Sequence, residues 1–145
     1  MEIATIGFTR SSAESFFGRI EASGIRRLGD VRLNNTSQLA GFAKKRDLPY
    51  FLDHICGVEY VALPVLAPRD DMLKAYRGGV LPWAEYERQY IALLDERDVA
   101  TVLQRSSLEP GIVLLCSEDL PDRCHRRLAA EYLKAAWGDI TIRHL

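Results

Sequence analysis

Residues 111–116 read Gly-Ile-Val-Leu-Leu-Cys, a continuous apolar run. Such a run is a strand covered on both faces, which is how the inner strands of parallel sheets read. Working outward, Ile3-Ala4-Thr5-Ile6-Gly7, Arg27-Leu28-Gly29-Asp30-Val31, Glu59-Tyr60-Val61-Ala62-Leu63 and Ile140-Thr141-Ile142-Arg143-His144 are the other strand candidates. Helical runs separate them. That alternation implies βαβ units, hence an α/β fold with a mainly parallel sheet of about five strands and helices on both faces. A single domain over residues 1–145 is expected, since one domain commonly takes ~100–200 residues.

The helices carry their own signals. Ser11-Ser12-Ala13-Glu14 fits a capping box with Ser11 as N-cap. Ala13, Phe16, Phe17 and Ile20 then recur at helical spacing, and Gly24 supplies a stop. Asp47 and Pro49 open a second helix that Gly57 closes. The stretch from Asp70 to Ser107 holds two or three more, with Trp83, Tyr86, Tyr90 and Leu94 on one face as core residues. The last helix is expected from near Pro121 to Trp137, with Gly138 as its stop and Cys124 and His125 facing inward in its first turn. Asn34 to Arg46 is polar without a period and reads as a long loop.

The formal net charge of -1 argues against a dedicated duplex-DNA binder, which needs a basic footprint. No stretch is apolar for the length of a membrane span, and Met1 to Arg10 lacks the pattern of a secretory signal. The three cysteines, Cys56, Cys116 and Cys124, are an odd number and read as free thiols of a reducing compartment, so a cytoplasmic protein is expected.

Ligands of open parallel sheets bind beyond the carboxyl ends of the strands. The first strand leads into Thr9 and Arg10, the second ends in Asp30-Val31-Arg32, and the fourth ends in Cys116-Ser117-Glu118. Asp30 and Arg32 lie two apart and share a face. They read either as an acid/base carboxylate beside an anion-binding guanidinium or as a structural ion pair. Cys116 is either a small core residue or a reactive one. Cys124-His125 at a helix start combines a thiol whose pKa the helix terminus lowers with a neighbouring imidazole. The pair is a candidate nucleophile or redox-sensitive thiol with an acid/base partner. The expected catalytic set is therefore Asp30, Cys116, Glu118, Cys124 and His125. The expected ligand-binding set is Thr9, Arg10, Arg32 and Arg126. Cysteine and histidine suit zinc, but the spacing matches no standard ligand pattern, and no metal site is expected. The spacing from Cys116 to Arg123 misses that of the cysteine-dependent phosphatases by one residue, and no phosphate loop, dinucleotide fingerprint, serine elbow or H-E-x-x-H motif occurs.

The chain resembles the domain-of-unknown-function family numbered 488. The matching stretches are Thr5-Ile6-Gly7 with Arg10, Gly29-Asp30-Val31-Arg32, Asn34-Asn35-Thr36-Ser37, Phe42, Gly57-Val58-Glu59-Tyr60, Leu63-Pro64, Tyr76, and Trp83 with Tyr86 and Tyr90. The most specific runs from Leu114-Leu115-Cys116-Ser117-Glu118 through Pro121 to Cys124-His125-Arg126. The resemblance implies a compact α/β fold with a shared polar site and brings no assigned activity. Phe8 stands where many members of that family carry His, which removes one candidate base.

Two functional readings follow. The first is an enzyme acting on a small anionic or nucleotide-like ligand, with Arg32, Arg126 and the N-termini of the first and last helices binding the anion. The second is a nucleic-acid or nucleotide binding module without catalysis. Its support is the interleaving of Phe42, Lys44-Lys45-Arg46 and Tyr50 with Arg123, Arg126 and Arg127. No cofactor, substrate or oligomeric state is indicated.

Overall fold

A strand apolar on both faces needs two apolar partners, and in the computed structural model Gly111–Cys116 (β4) has them. The structure describes residues 1–36 and 41–145. All six residues of β4 are buried. On one side it pairs in parallel with Glu2–Gly7 (β1), Gly7 opposite Cys116. On the other it pairs in parallel with Arg27–Asp30 (β2), Asp30 opposite Leu115. Glu59–Ala62 (β3) extends the sheet beyond β2 and Thr141–His144 (β5) extends it beyond β1. The result is a five-stranded, all-parallel sheet in the order β3-β2-β4-β1-β5.

Alternation along β4 divides the core into two layers. Ile112, Leu114 and Cys116 face a cluster built with Tyr86, Tyr90 and Leu94 of helix α4 (Trp83–Glu96) and Leu128, Ala129 and Leu133 of helix α6 (His125–Trp137). Val113 and Leu115 face Phe16, Phe17 and Ile20 of helix α1 (Ala13–Ser23), and Leu48 of the short helix α2 (Leu48–Phe51). A π-helical turn, Leu52–Cys56, continues α2 and ends on Gly57 at φ 63°. Helices α3 (Asp70–Arg77) and α5 (Val99–Val102) complete the set. Among the described residues no helix is long and apolar enough to cross a membrane.

Several local expectations shift. Helix α1 begins one residue late, because Ser12 is the N-cap and accepts from the Ser15 N–H, leaving Glu14 outside any capping box. Ser11 instead accepts from Arg19. Helix α6 starts at His125, and Cys124 is its N-cap rather than a first-turn residue. Pro121 accepts from the Cys124 N–H in a turn that precedes the helix. Within the long polar stretch, Gly41–Ala43 forms a 3-10 turn, while Ser37 to Ala40 lie outside the described residues.

Tyr90 shows how the first layer is pinned. It is fully buried, and its hydroxyl donates to the Leu66 carbonyl at 2.7 Å. Burial pushes the phenol far above its ordinary range, so it stays protonated. Tyr90→Phe leaves that carbonyl without its donor and is expected to cost about 1–2 kcal/mol. The loss, read as a shift in the urea midpoint, should be the same at neutral and mildly alkaline pH.

Candidate functional site

Three strand ends and one helix start meet at the carboxyl edge of the sheet. Because β4 lies between β1 and β2, Cys116 is flanked by the turn after Gly7 and the turn after Asp30. A cleft of about 500 Å³ opens there, lined by Phe8, Thr9, Arg32, Leu33, Asn34, Leu73, Arg77, Cys116, Ser117, Glu118 and His125. A narrow extension of about 20 Å³ continues from it past Tyr76, Trp83, Arg123 and Cys124.

Cys116 is buried at the cleft floor, and its thiol is held below the ordinary cysteine range. The largest cause is a hydrogen bond from the Cys124 thiol. The Arg126 charge and the backbone N–H groups of Ser117 and Glu118 act in the same direction, against the penalty of burial. Cys124 moves the opposite way, raised by burial and by its bond to Cys116. The two sulfurs therefore have separate tendencies, Cys116 toward thiolate and Cys124 toward thiol.

His125 supplies the nearest base. Its Nε2 lies 2.8 Å from the Val31 carbonyl, which fixes Nε2 as the protonated nitrogen and leaves Nδ1 as an acceptor. Cys116 Sγ lies 3.6 Å from Nδ1 and 3.8 Å from Nε2. Near-equal distances place the sulfur beside the ring rather than on the Nδ1 lone pair. A turn of the imidazole is needed before a proton can pass, and resting sites commonly require such tightening. Tyr90 packs edge-on against the ring at 5.5 Å.

Asp30 and Arg32 form a buried ion pair. Arg32 donates through Nε to Oδ1 and through a terminal nitrogen to Oδ2, both at 2.9 Å, and its backbone N–H donates to Oδ1. The Tyr60 hydroxyl donates to Oδ2 at 2.7 Å. Asp30 thus has its oxygens committed and lies outside the cleft lining. The contacts of Asp30 are those of an ion pair that orients Arg32. Arg32 does reach the cleft, over the ring of Phe8 at 5.3 Å.

Arg126 is also misplaced by its sequence reading. It is 1 % exposed and donates to the Glu118 and Asp119 carbonyls, holding the loop after β4 from beneath. Its Nε is buried with no partner. Arg126 lines neither cavity of this edge, so its charge reaches the site through Cys116, not through a ligand. Arg10 sits exposed on a turn at φ 61°, also outside the lining. Thr9 lines the cleft with its hydroxyl donating to the Ser117 carbonyl at 2.6 Å. The first turn of α1 does not line it, so of the two helix starts expected to hold an anion only that of α6 is present.

The cleft gains a cation that sequence reasoning missed. Arg77 ends α3, is exposed, and makes no ion pair among the described residues. Its neighbour Tyr76 is visible as a helix-end aromatic, but nothing in the spacing says that α3 ends at the cleft that Cys116 lines. In the segment read for base stacking, Phe42 packs at 5.2 Å from Phe16 and 5.8 Å from Phe17, while the exposed Tyr50 stacks on His54.

Cys116, Cys124 and His125 also bring three potential ligand atoms within 4.8 Å of one another, a closeness the sequence spacing did not suggest. The residue types suit a thiophilic ion, although neither imidazole nitrogen has its lone pair turned toward Cys116.

Compared with known proteins, the chain matches the family model described as Domain of unknown function DUF488 over residues 12–133. No curated protein matches it, and no solved structure does.

Proposed function

Because the chain belongs to the family of domains of unknown function DUF488, a description that specifies no chemistry, we propose from the site itself that the protein is an enzyme using Cys116 as a nucleophile on a small anionic ligand. The observation that carries this reading is the position of buried Cys116 in the cleft lining, beside His125 and in the same lining as Arg32 and Arg77.

The chemistry follows from the parts. His125 accepts the Cys116 proton at Nδ1 as the thiolate attacks an electrophilic centre of the ligand. A bond forms from Sγ to that centre, the bond to the leaving group breaks, and the imidazolium returns its proton to the departing group. Water then attacks the same centre, giving a proton to Nδ1, and Sγ leaves and is reprotonated. Arg32 and Arg77 hold the anion. Arg32 is rigid because Asp30 grips it, whereas Arg77 at the helix end is free to close on a ligand. Glu118 is the one carboxylate in the cleft lining among the described residues, and it favours a ligand that also carries a donor group. A phosphate-bearing, nucleotide-like molecule meets these demands.

The test needs no substrate. Iodoacetate and iodoacetamide alkylate thiols with the same chemistry but differ in charge. Cys116 should prefer the anionic reagent by about tenfold relative to a free thiol, the effect of roughly 1.4 kcal/mol from a screened cation. Inorganic phosphate should protect it, Arg77→Ala should weaken the preference, and Cys116→Ser should abolish the reaction. If peptide mapping shows Cys116 no faster than the buried Cys56, or indifferent to reagent charge, this reading fails.

A further inference from the structure

We infer that Cys124 is the resolving partner of Cys116, so that a hydroperoxide converts the two into a reversible disulfide that closes the site. The inference rests on the proposed reading only in that Cys116 is a reactive thiol.

The ligand atoms of Cys116, Cys124 and His125 all lie within 4.8 Å of one another, so the two sulfurs face each other across a short gap. Cys124 is the N-cap of α6, in extended backbone at φ -137°, ψ 138°, and its side chain makes no capping bond. The helix therefore does not hold the sulfur in place. The turn before it, from Ser117 to Arg123, belongs to no helix or strand. Both cysteines line the narrow extension of the cleft, so a small peroxide reaching Cys116 meets Cys124 on the far side. The third cysteine, Cys56, lies in the opposite core layer with its thiol donating to the Phe17 carbonyl.

Access then assigns their order. Cys116 lines both the open cleft and its narrow extension, whereas Cys124 lines only the extension, so Cys116 is the sulfur that meets the peroxide first and attacks it. It takes one oxygen from the peroxide as the O–O bond breaks, giving a sulfenic acid and releasing water or an alcohol. Cys124 loses its proton to the departing hydroxyl, its sulfur bonds to Cys116 Sγ, and water leaves. Two thiols have been oxidised and one peroxide reduced. Arg126, with a terminal nitrogen 3.6 Å from Cys124 Sγ, is placed to stabilise the charge that develops there. The bond removes the nucleophile of the proposed reaction, and a thiol reductant restores it.

The experiment uses the whole chain, treated with a chelator so that no bound ion shields the sulfurs, and stoichiometric hydrogen peroxide. Non-reducing peptide mapping should find Cys116 linked to Cys124 with Cys56 free, and dithiothreitol should reverse the link. Cys124→Ser should instead drive Cys116 on to sulfinic acid, which dithiothreitol does not reverse. Wild-type protein that accumulates sulfinic acid at Cys116 with Cys124 still a thiol overturns the inference, as does a link to Cys56. So does an iodoacetate-reactive Cys116 that peroxide leaves untouched, an outcome in which the proposed function survives. A Cys116 inert to both reagents sinks the two together. Circular dichroism of the Cys124→Ser protein confirms its fold, and the wild-type mapping decides the matter even where that variant is unstable.

Discussion

Asp30→Asn is expected to destabilise the protein by about 3–5 kcal/mol, the usual cost of removing one partner from a buried ion pair. The substitution keeps the shape of the side chain and removes its charge. Side-chain exposure is 0 % for Asp30 and 2 % for Arg32, so water cannot replace what is lost. Arg32 keeps its charge in a buried position, and Tyr60 loses a charged acceptor. Against a typical domain stability of about 5–15 kcal/mol, this change alone brings the fold near its threshold. The measurement is a urea unfolding curve. A second variant separates structure from chemistry. Replacing the pair together, Asp30→Asn with Arg32→Met, removes the uncompensated charge and should recover part of the loss, giving a clear coupling energy in the double-mutant cycle. The double variant should still have less preference for iodoacetate at Cys116, because one cation has left the cleft. If Asp30→Asn were as stable as the wild type but left Cys116 unreactive, Asp30 would have to act in the chemistry directly.

Gly7→Ala should be comparably damaging, for a reason invisible to any propensity scale. A Cβ on Gly7 would lie 1.6 Å from the Glu118 carbonyl oxygen, 2.7 Å from its carbon and 2.9 Å from an Arg126 terminal nitrogen. None of these can step aside. The carbonyl is backbone, and the guanidinium is buried with its hydrogen bonds on that same loop. Admitting a methyl group means moving the loop after β4 and breaking bonds to a charged donor, about 3–5 kcal/mol in all. For a chain of this length the melting temperature should fall by roughly 10 °C. Cys116 should also lose its reagent preference, because Ser117 and Glu118 are the residues displaced. Gly18→Ala is the control. Gly18 lies inside α1 with nothing within 4 Å of the added atom, and the same chemical change there should stabilise by about 0.5–1 kcal/mol. A Gly7→Ala protein that melts with the wild type would mean that the loop is not held where Arg126 holds it.

The family match covers residues 12–133 and so includes Cys116, Cys124 and His125. It adds no reaction to what these side chains indicate.

Most of the architecture is written in local patterns. The apolar run at Gly111–Cys116, the spacing of Phe16, Phe17 and Ile20, and the stops at Gly24, Gly57 and Gly138 are short-range signals, and each marks an element or its end. Cap positions moved by a residue or a few, as with Ser12 and Cys124, because adjacent polar residues compete to cap and only the packed helix selects one. That Cys116, Thr9 and Arg32 share an edge was also legible, since parallel strands bring their carboxyl ends to the same side.

What chain-local patterns left open was the phase of the pleat and the reach of the long side chains. Asp30 and Arg32 do share a face, but which layer Asp30 enters depends on its pairing opposite Leu115, whose side chain lies in the layer away from Cys116. Arg126 looks like an anion ligand until β4 and α6 are packed, when its guanidinium proves to bind the Glu118 and Asp119 carbonyls. Arg77 enters the site only because α3 ends at the cleft that Cys116 lines. By itself the sequence determined a parallel sheet between two helical layers with a reactive-looking edge, because periodicity and turn residues act over a few positions. Only the tertiary structure decided which charges support the fold and which face the cleft, because strand register and side-chain reach are settled between segments far apart in the chain.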